Sequence, residues 1–196
     1  MTFEYDAVQM VLRTAITNET KGDSIMKVLV TYFSQSGNTE KIATAICEEA
    51  ATCSDADLKK LEELTPDMVA EYDFVFMGSP LHAGSLAAPV KECLSVLKPT
   101  SGQQMAGFIT HMAPAYPEQD MDAFEEPMKT ACREKGIEYR GCFDCQGFLA
   151  EAMHDPVQKK LGLDDEKWAV MVKQMTGHPN HEDVDNAKAF VRRLFA

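Results

Sequence analysis

From Lys27 onward the chain alternates buried-strand runs with helical segments, and that alternation limits the fold more than any other feature of the sequence. Lys27–Phe33 (KVLVTYF) and Tyr72–Gly78 (YDFVFMG) are β-branched and aromatic, nearly continuous apolar runs, as expected of strands covered on both faces. Met105–Thr110 and Ile137–Cys145 are read as a third and a fourth strong strand, and Ala56–Leu61 is a weaker, shorter strand. Between the first two strands, Asn38–Cys53 keeps a 3.6-residue apolar period through Ile42, Ala45 and Ile46. Helices are also predicted over Pro66–Glu71, over Ala88–Lys98 (apolar at Val90, Cys93, Leu94 and Leu97) and over Met121–Lys135, ended by Gly136. A last helix runs over Val184–Phe195, with Asn180 or Asp183 at its start. Five strands separated by helices and joined by right-handed crossovers give an α/β fold, a parallel sheet with helices on both faces. Ligands of such sheets bind beyond the carboxyl ends of the strands, where the strand order reverses. The residues after each strong strand are therefore the candidates for function.

The length of 196 residues fits one domain. The first 25 residues differ from the rest: Asp6 can cap a short helix with Val8, Val11, Leu12, Ala15 and Ile16 on one stripe, and the polar linker Asn18–Ser24 follows. Residues 1–25 are read as a peripheral extension, with docking on the domain or dimerisation as its other uses, and residues 26–196 as the domain. The net charge of −12 repels a phosphate backbone, which argues against a nucleic-acid partner. No apolar run approaches the ~18 residues of a membrane span, and the N-terminus lacks the basic-then-apolar plan of a signal peptide. A soluble, cytoplasmic protein with six reduced cysteines is the expectation.

Other constellations carry less. Cys142-x-x-Cys145 lies on a strand, where positions i and i+3 face opposite sides, which disfavours a redox dithiol. His178 and His181 fit a helix-start turn better than a metal site, and Asp164-Asp165-Glu166 fits a solvated helix cap. No metal site and no catalytic residue is assigned, and no G-x-S-x-G nucleophile elbow is present.

The segment after the first strand is Ser34-Gln35-Ser36-Gly37-Asn38-Thr39. Its hydroxyls, its amide and a permissive glycine let the chain curl round an anion, with backbone N–H groups and the helix N-terminus pointing inward. It lacks the GK[ST] ending of a triphosphate loop and the GxGxxG of a dinucleotide site, so it suits a monophosphate. Tyr32–Thr39, followed by Ala43 and Ile46, resembles the FMN-phosphate signature of the flavodoxin family; Thr31 departs from that pattern, in the strand and not in the loop. Gly78-Ser79-Pro80-Leu81-His82-Ala83-Gly84-Ser85 is similar to the flavin loop of FMN-dependent NAD(P)H:quinone oxidoreductases, and Thr110–Tyr116 fits the loop after the next strand.

The resemblance covers residues 26–196. It implies a doubly wound, five-stranded parallel sheet of order 2-1-3-4-5 that holds FMN without a covalent bond. The phosphate would sit on Ser34–Thr39. The flavin ring would lie between Ser79, Pro80, Leu81, His82, Ala83 and Gly84 on one side and Thr110, His111, Met112, Ala113 and Tyr116 on the other. Gly84 would let a peptide unit turn toward the flavin, the family's device for separating its two one-electron steps. Many members stack a tryptophan and a tyrosine on the ring; here the one tryptophan, Trp168, is far along the chain, leaving Tyr116 and His82. The expected role is electron transfer between redox partner proteins with basic docking surfaces. The alternative is an FMN-dependent NAD(P)H oxidoreductase acting on quinones or similar small acceptors. A flavin-free scaffold on the same fold is a third reading, and a homo-oligomer is left open.

Overall fold

A computed structural model describes residues 25–113 and 118–196, so the proposed N-terminal helix and Tyr116 lie outside the described residues. The strands are β1 (Lys27–Tyr32), β2 (Asp55–Lys60), β3 (Phe74–His82), β4 (Ser85–Leu86), β5 (Gln104–His111) and β6 (Glu138–Gln146). Five lie parallel in the order β2-β1-β3-β5-β6, and β4 pairs antiparallel with the end of β3. With the two-residue β4 set aside, this is the predicted order. It reverses at β1 and β3, so the crevice lies beyond the carboxyl ends of those two strands.

The alternation of side chains across the pleat divides the core in two. On one face Val28 and Val30 of β1, Phe74 and Phe76 of β3 and Phe108 of β5 pack against α1 (Asn38–Ala50) through Ile42 and Ile46 and α6 (His181–Phe195) through Phe190 and Val191. On the other, Leu29, Val75, Met77, Met105 and Ile109 meet Val90 and Leu94 of α2 (Ala88–Val96) and Met121, Met128 and Ala131 of α3 (Glu118–Lys135). β2 is an edge strand with mostly exposed side chains, which is why its sequence signal is weak.

Three features depart from the sequence reading. The helix expected over Pro66–Glu71 is a single 3-10 turn, Met68–Glu71. Residues between Phe148 and Pro179, left without assigned elements, form α4 (His154–Leu161) and α5 (Asp165–Met175). Their apolar pattern is faint because α4 buries no residue and α5 buries only Trp168 and Met175. Finally, β6 carries a bulge against β5: Met105 pairs with Tyr139, but Gly107 already pairs with Cys142. Gly141, at φ 100°, takes up the extra residue. Beyond the bulge Cys142 joins the core on the α2/α3 face and Cys145 the core on the α1/α6 face, as a strand's i, i+3 spacing predicts.

Candidate functional site

Three loops meet at the carboxyl edge of the sheet. In the first, Gly37 adopts φ 86°, a left-handed conformation that turns the chain from β1 into α1. Its N–H donates to Ser34 Oγ at 3.1 Å, and the Asn38 side-chain amide donates to Ser36 Oγ at 3.0 Å. Both serine hydroxyls act as acceptors inside the loop and keep their own protons for a ligand. The first helical hydrogen bond runs from the Lys41 N–H to the Gly37 carbonyl, and no side chain caps α1. The amides of Asn38, Thr39 and Glu40 thus precede the helical ladder, at the positive end of the dipole. Gln35, Ser36 and Gly37 are exposed, and Lys41 donates its ammonium to the Pro179 carbonyl.

Thr39 behaves differently from the rest of this loop. It is buried, and its hydroxyl shares a 2.8 Å hydrogen bond with that of Thr110 at the end of β5. The bond ties the first loop to the third. Asn38 makes a similar tie to the chain after β6, donating to the Phe148 carbonyl at 2.7 Å. There Gly147 lies so close that a Cβ would stand 2.8 Å from Asn38 Nδ2.

The second loop is a tight hairpin. Leu81 pairs with Leu86 and His82 with Ser85, leaving Ala83 (φ 53°) and Gly84 (φ 80°) at the turn. The Ser79 hydroxyl is held inside, donating to the Pro80 carbonyl and accepting from the Ala87 N–H, so it fixes the hairpin's base. His82 is exposed and meets Phe33 edge-on, ring centres 6.4 Å apart. Just below, Gly78 lies against the Phe108 ring, where a Cβ would stand 2.2 Å from the nearest ring carbon.

In the third loop three successive carbonyls are fastened. The His111 carbonyl accepts from the Gly147 N–H at 2.7 Å, Met112's from the Gln146 side chain at 2.9 Å, and Ala113's pairs with His111 Nδ1 at 3.0 Å. A trans peptide sets each N–H opposite the preceding carbonyl, so the Met112 and Ala113 amides are turned away from these donors. The other ring nitrogen of His111 lies 2.9 Å from Asp144 Oδ2.

Residues 29–192 match the family model of the flavodoxin domain. The chain belongs to the flavodoxin family. Among curated relatives, this flavodoxin-family chain is 27% identical over 172 residues to an uncharacterised protein of Methanocaldococcus jannaschii, covering 86% of this chain and 98% of that one. It is 26% identical over 176 residues to the flavodoxin-like domain-containing protein BilS of Clostridioides difficile, covering 86% and 96%. Among solved structures, flavodoxin 2 of Bacillus cereus shares its fold at a TM-score of 0.59 and 20% identity, over 86% of this chain and 97% of that one.

In this flavodoxin-family chain the described residues expected to hold a cofactor lie at the carboxyl ends of β1, β3 and β5 and in the segments that follow them. What sequence reasoning missed is the chain after β6. Gln146, Gly147 and the Phe148 carbonyl brace the first and third loops, and Asp144 holds His111; a strand end on the same sheet edge was the only signal. Trp168 is buried edge-on to His154 at 5.5 Å, and His154 meets Phe148 at 5.6 Å, so the tryptophan backs the brace. The Cys142 and Cys145 thiols are both pushed up by burial, away from the thiolate that disulfide exchange needs. All six cysteines are free. His178 and Asp183 join in the capping network of α6, where Asn180 Oδ1 accepts from the Glu182 and Asp183 N–H groups. Asp164 caps α5, as the acidic run suggested. A separate groove of about 510 Å³ between α2 and α3, lined by Leu94, Ser95, Pro127, Thr130 and Ala131 among others, holds none of the predicted site residues. No helix among the described residues is long and apolar enough to cross a membrane.

Proposed function

We propose that residues 26–196 bind FMN without a covalent bond and carry electrons between redox partner proteins, with residues 1–25 a peripheral extension. The observation that carries the cofactor is the uncapped start of α1 behind Ser34–Thr39. Two serine protons, the glycine turn and the leading helix amides there suit a phosphate monoester with no cation in the loop. The hairpin at 79–85 and the pinned loop at 110–113 would flank the ring, with Tyr116 following in sequence. Bound FMN would supply the redox chemistry; the chain would bind it, aim its amides at it and control access to it. The −12 net charge supports docking on partners with basic surfaces, because complementary charge raises encounter rates.

FMN and riboflavin should be titrated into the protein side by side. FMN should bind far more tightly, since each charge-assisted hydrogen bond to the phosphate contributes roughly 1.5–3 kcal/mol. Equal affinities would refute the phosphate site, and uptake of neither would defeat the cofactor reading. Stepwise reduction of the FMN complex should then pass through a stable one-electron-reduced species, with no steady-state oxidation of NAD(P)H. The second reading, an FMN-dependent NAD(P)H oxidoreductase for quinone-like acceptors, is favoured by one observation. Trp168 is committed to His154, and the exposed ring beside the hairpin is His82, so no tryptophan is offered to close the flavin face. NAD(P)H turnover by the complex alone would establish that reading over the carrier.

A further inference from the structure

The groove of about 510 Å³ between α2 and α3 has Leu94 and Ala131 at its floor and Pro127 as a wall. Lys135 donates to the Ser95 and Leu97 carbonyls and ties the two helices together at one end. Glu134 lies at that end, exposed. Lys91 stands one turn before Ser95 on α2, and its ammonium reaches away from that end to donate to Ser85 Oγ at 3.2 Å. Neither Lys91 nor Glu134 makes an ion pair among the described residues. Another groove, of about 420 Å³ beside α5, is more polar: Val170 stands among Asp164, Glu166 and Lys167.

The chain enters the sheet close to the tied end of the first groove. Lys27 opens β1 with its N–H on the Asp73 carboxylate, and the Asp73 carbonyl accepts from the Gln104 N–H at the start of β5. Since α2 leads into β5 and α3 into β6, both helices end at this same amino edge. From Lys27 the groove is two strand spacings across, about 10 Å, and one helix layer out, about 10–12 Å. The seven residues Asn18–Ser24 span on the order of 15 Å as a flexible chain and up to about 23 Å extended, enough to reach it. Directly before that linker comes the stripe of Val8, Val11, Leu12, Ala15 and Ile16, in residues 1–24 outside the described chain. A helix of that length is marginal in water until its stripe is covered. Over residues 6–16 it would be about 16 Å long, against about 18 Å from Ala123 to Lys135 along α3.

The tether also sets the direction. Ile16 must lie at the amino edge, which sets Arg13 near Glu134 and Asp6, about three turns away, toward the Lys91 ammonium. The charges match at both ends. A linker this short also favours the chain's own segment over that of a second copy, because it holds the segment at roughly millimolar effective concentration.

We propose that residues 6–16 of this chain dock as a helix in the groove between α2 and α3, with Arg13 beside Glu134 and Asp6 toward Lys91. The docking needs no cofactor and stands apart from the FMN reading. In the full-length protein a benzophenone amino acid in place of Ala15 should, on illumination, cross-link to peptides of α2 or α3 within one chain. Adducts elsewhere in the chain, adducts joining two chains, or none at all would overturn the proposal. Hydrogen exchange of the same full-length protein supplies a second readout. Leu12→Asp should speed exchange of residues 8–16 by on the order of tenfold or more and leave the β-strand amides unchanged, which also shows that the variant is folded. Arg13→Glu and Glu134→Lys should each speed exchange of residues 8–16 by about two- to fivefold, and the double variant should restore it. Simple addition of the two effects, or unchanged exchange in Leu12→Asp, would contradict the proposal.

Discussion

Two backbone positions at the site carry measurable strain or crowding. Ala83 stands at φ 53° in the hairpin, a conformation that costs a residue with a Cβ about 1–2 kcal/mol. Ala83→Gly should therefore stabilise the chain, by about 0.5–1 kcal/mol once glycine's extra unfolded-state entropy is counted, read as a higher urea midpoint at unchanged slope. Gly147→Ala should do the reverse. Its Cβ would press on the Asn38 amide, costing about 1–3 kcal/mol as overpacking and weakening FMN binding by displacing the first loop. Tyr32 gives a pH test. Burial first, and then its 2.8 Å hydrogen bond to Glu40, push its phenol up to about 12. A folded pKa above the unfolded value of about 10 adds stability that is complete below pH ~10 and is lost as pH rises through the folded value. Tyr32→Phe should flatten that part of the alkaline unfolding curve. At this scale Ser34–Thr39 is legible because its residues are contiguous and their types are diagnostic. Gly147 is not, because the residue that requires it, Asn38, is remote in sequence.

At the level of elements, apolar runs made the central strands β1, β3 and β5 visible, since burial on both faces leaves little room for polar residues. β4 is two residues long and α4 buries nothing, so neither has a period to detect. The bulge in β6 is equally silent, yet it decides the site. Without it, the side-chain alternation beyond Gly141 would be reversed, and Asp144 and Gln146 would leave the face shared with His111. Gly141→Ala places a Cβ at φ 100° and should cost about 1–2 kcal/mol. Its more telling effect should be on the third loop, where faster amide exchange at Met112 and Ala113 would report the slipped register. A glycine inside an otherwise good strand was the one hint available, and it can equally mark a close approach of backbones.

For the whole molecule, the acidity and the cofactor site separate by type of interaction. The net charge is −12, but Ser34–Thr39 contains no charged side chain. Salt should therefore act in opposite directions on the two proposed functions. It should slow association with a basic redox partner, as screening shortens electrostatic steering. It should also modestly strengthen FMN binding, because the dianion enters against a field of its own sign. Stopped-flow reduction and flavin titration across one salt series would check both signs, and parallel responses would contradict the assignment.

The buried contact of Trp168 with His154 gives the molecule a built-in optical gauge. It is the chain's one tryptophan, so ultraviolet emission has a single dominant origin, in α5. That origin is linked through His154 and Phe148 to the carbonyl that holds Asn38. Peeling of the α4–α5 segment from the sheet edge should expose the indole to water and move its emission to the red. Emission would thus register detachment of the brace while the five-stranded core remains intact. Local opening and global unfolding can then be timed in one unlabelled sample, by comparing emission with far-ultraviolet dichroism.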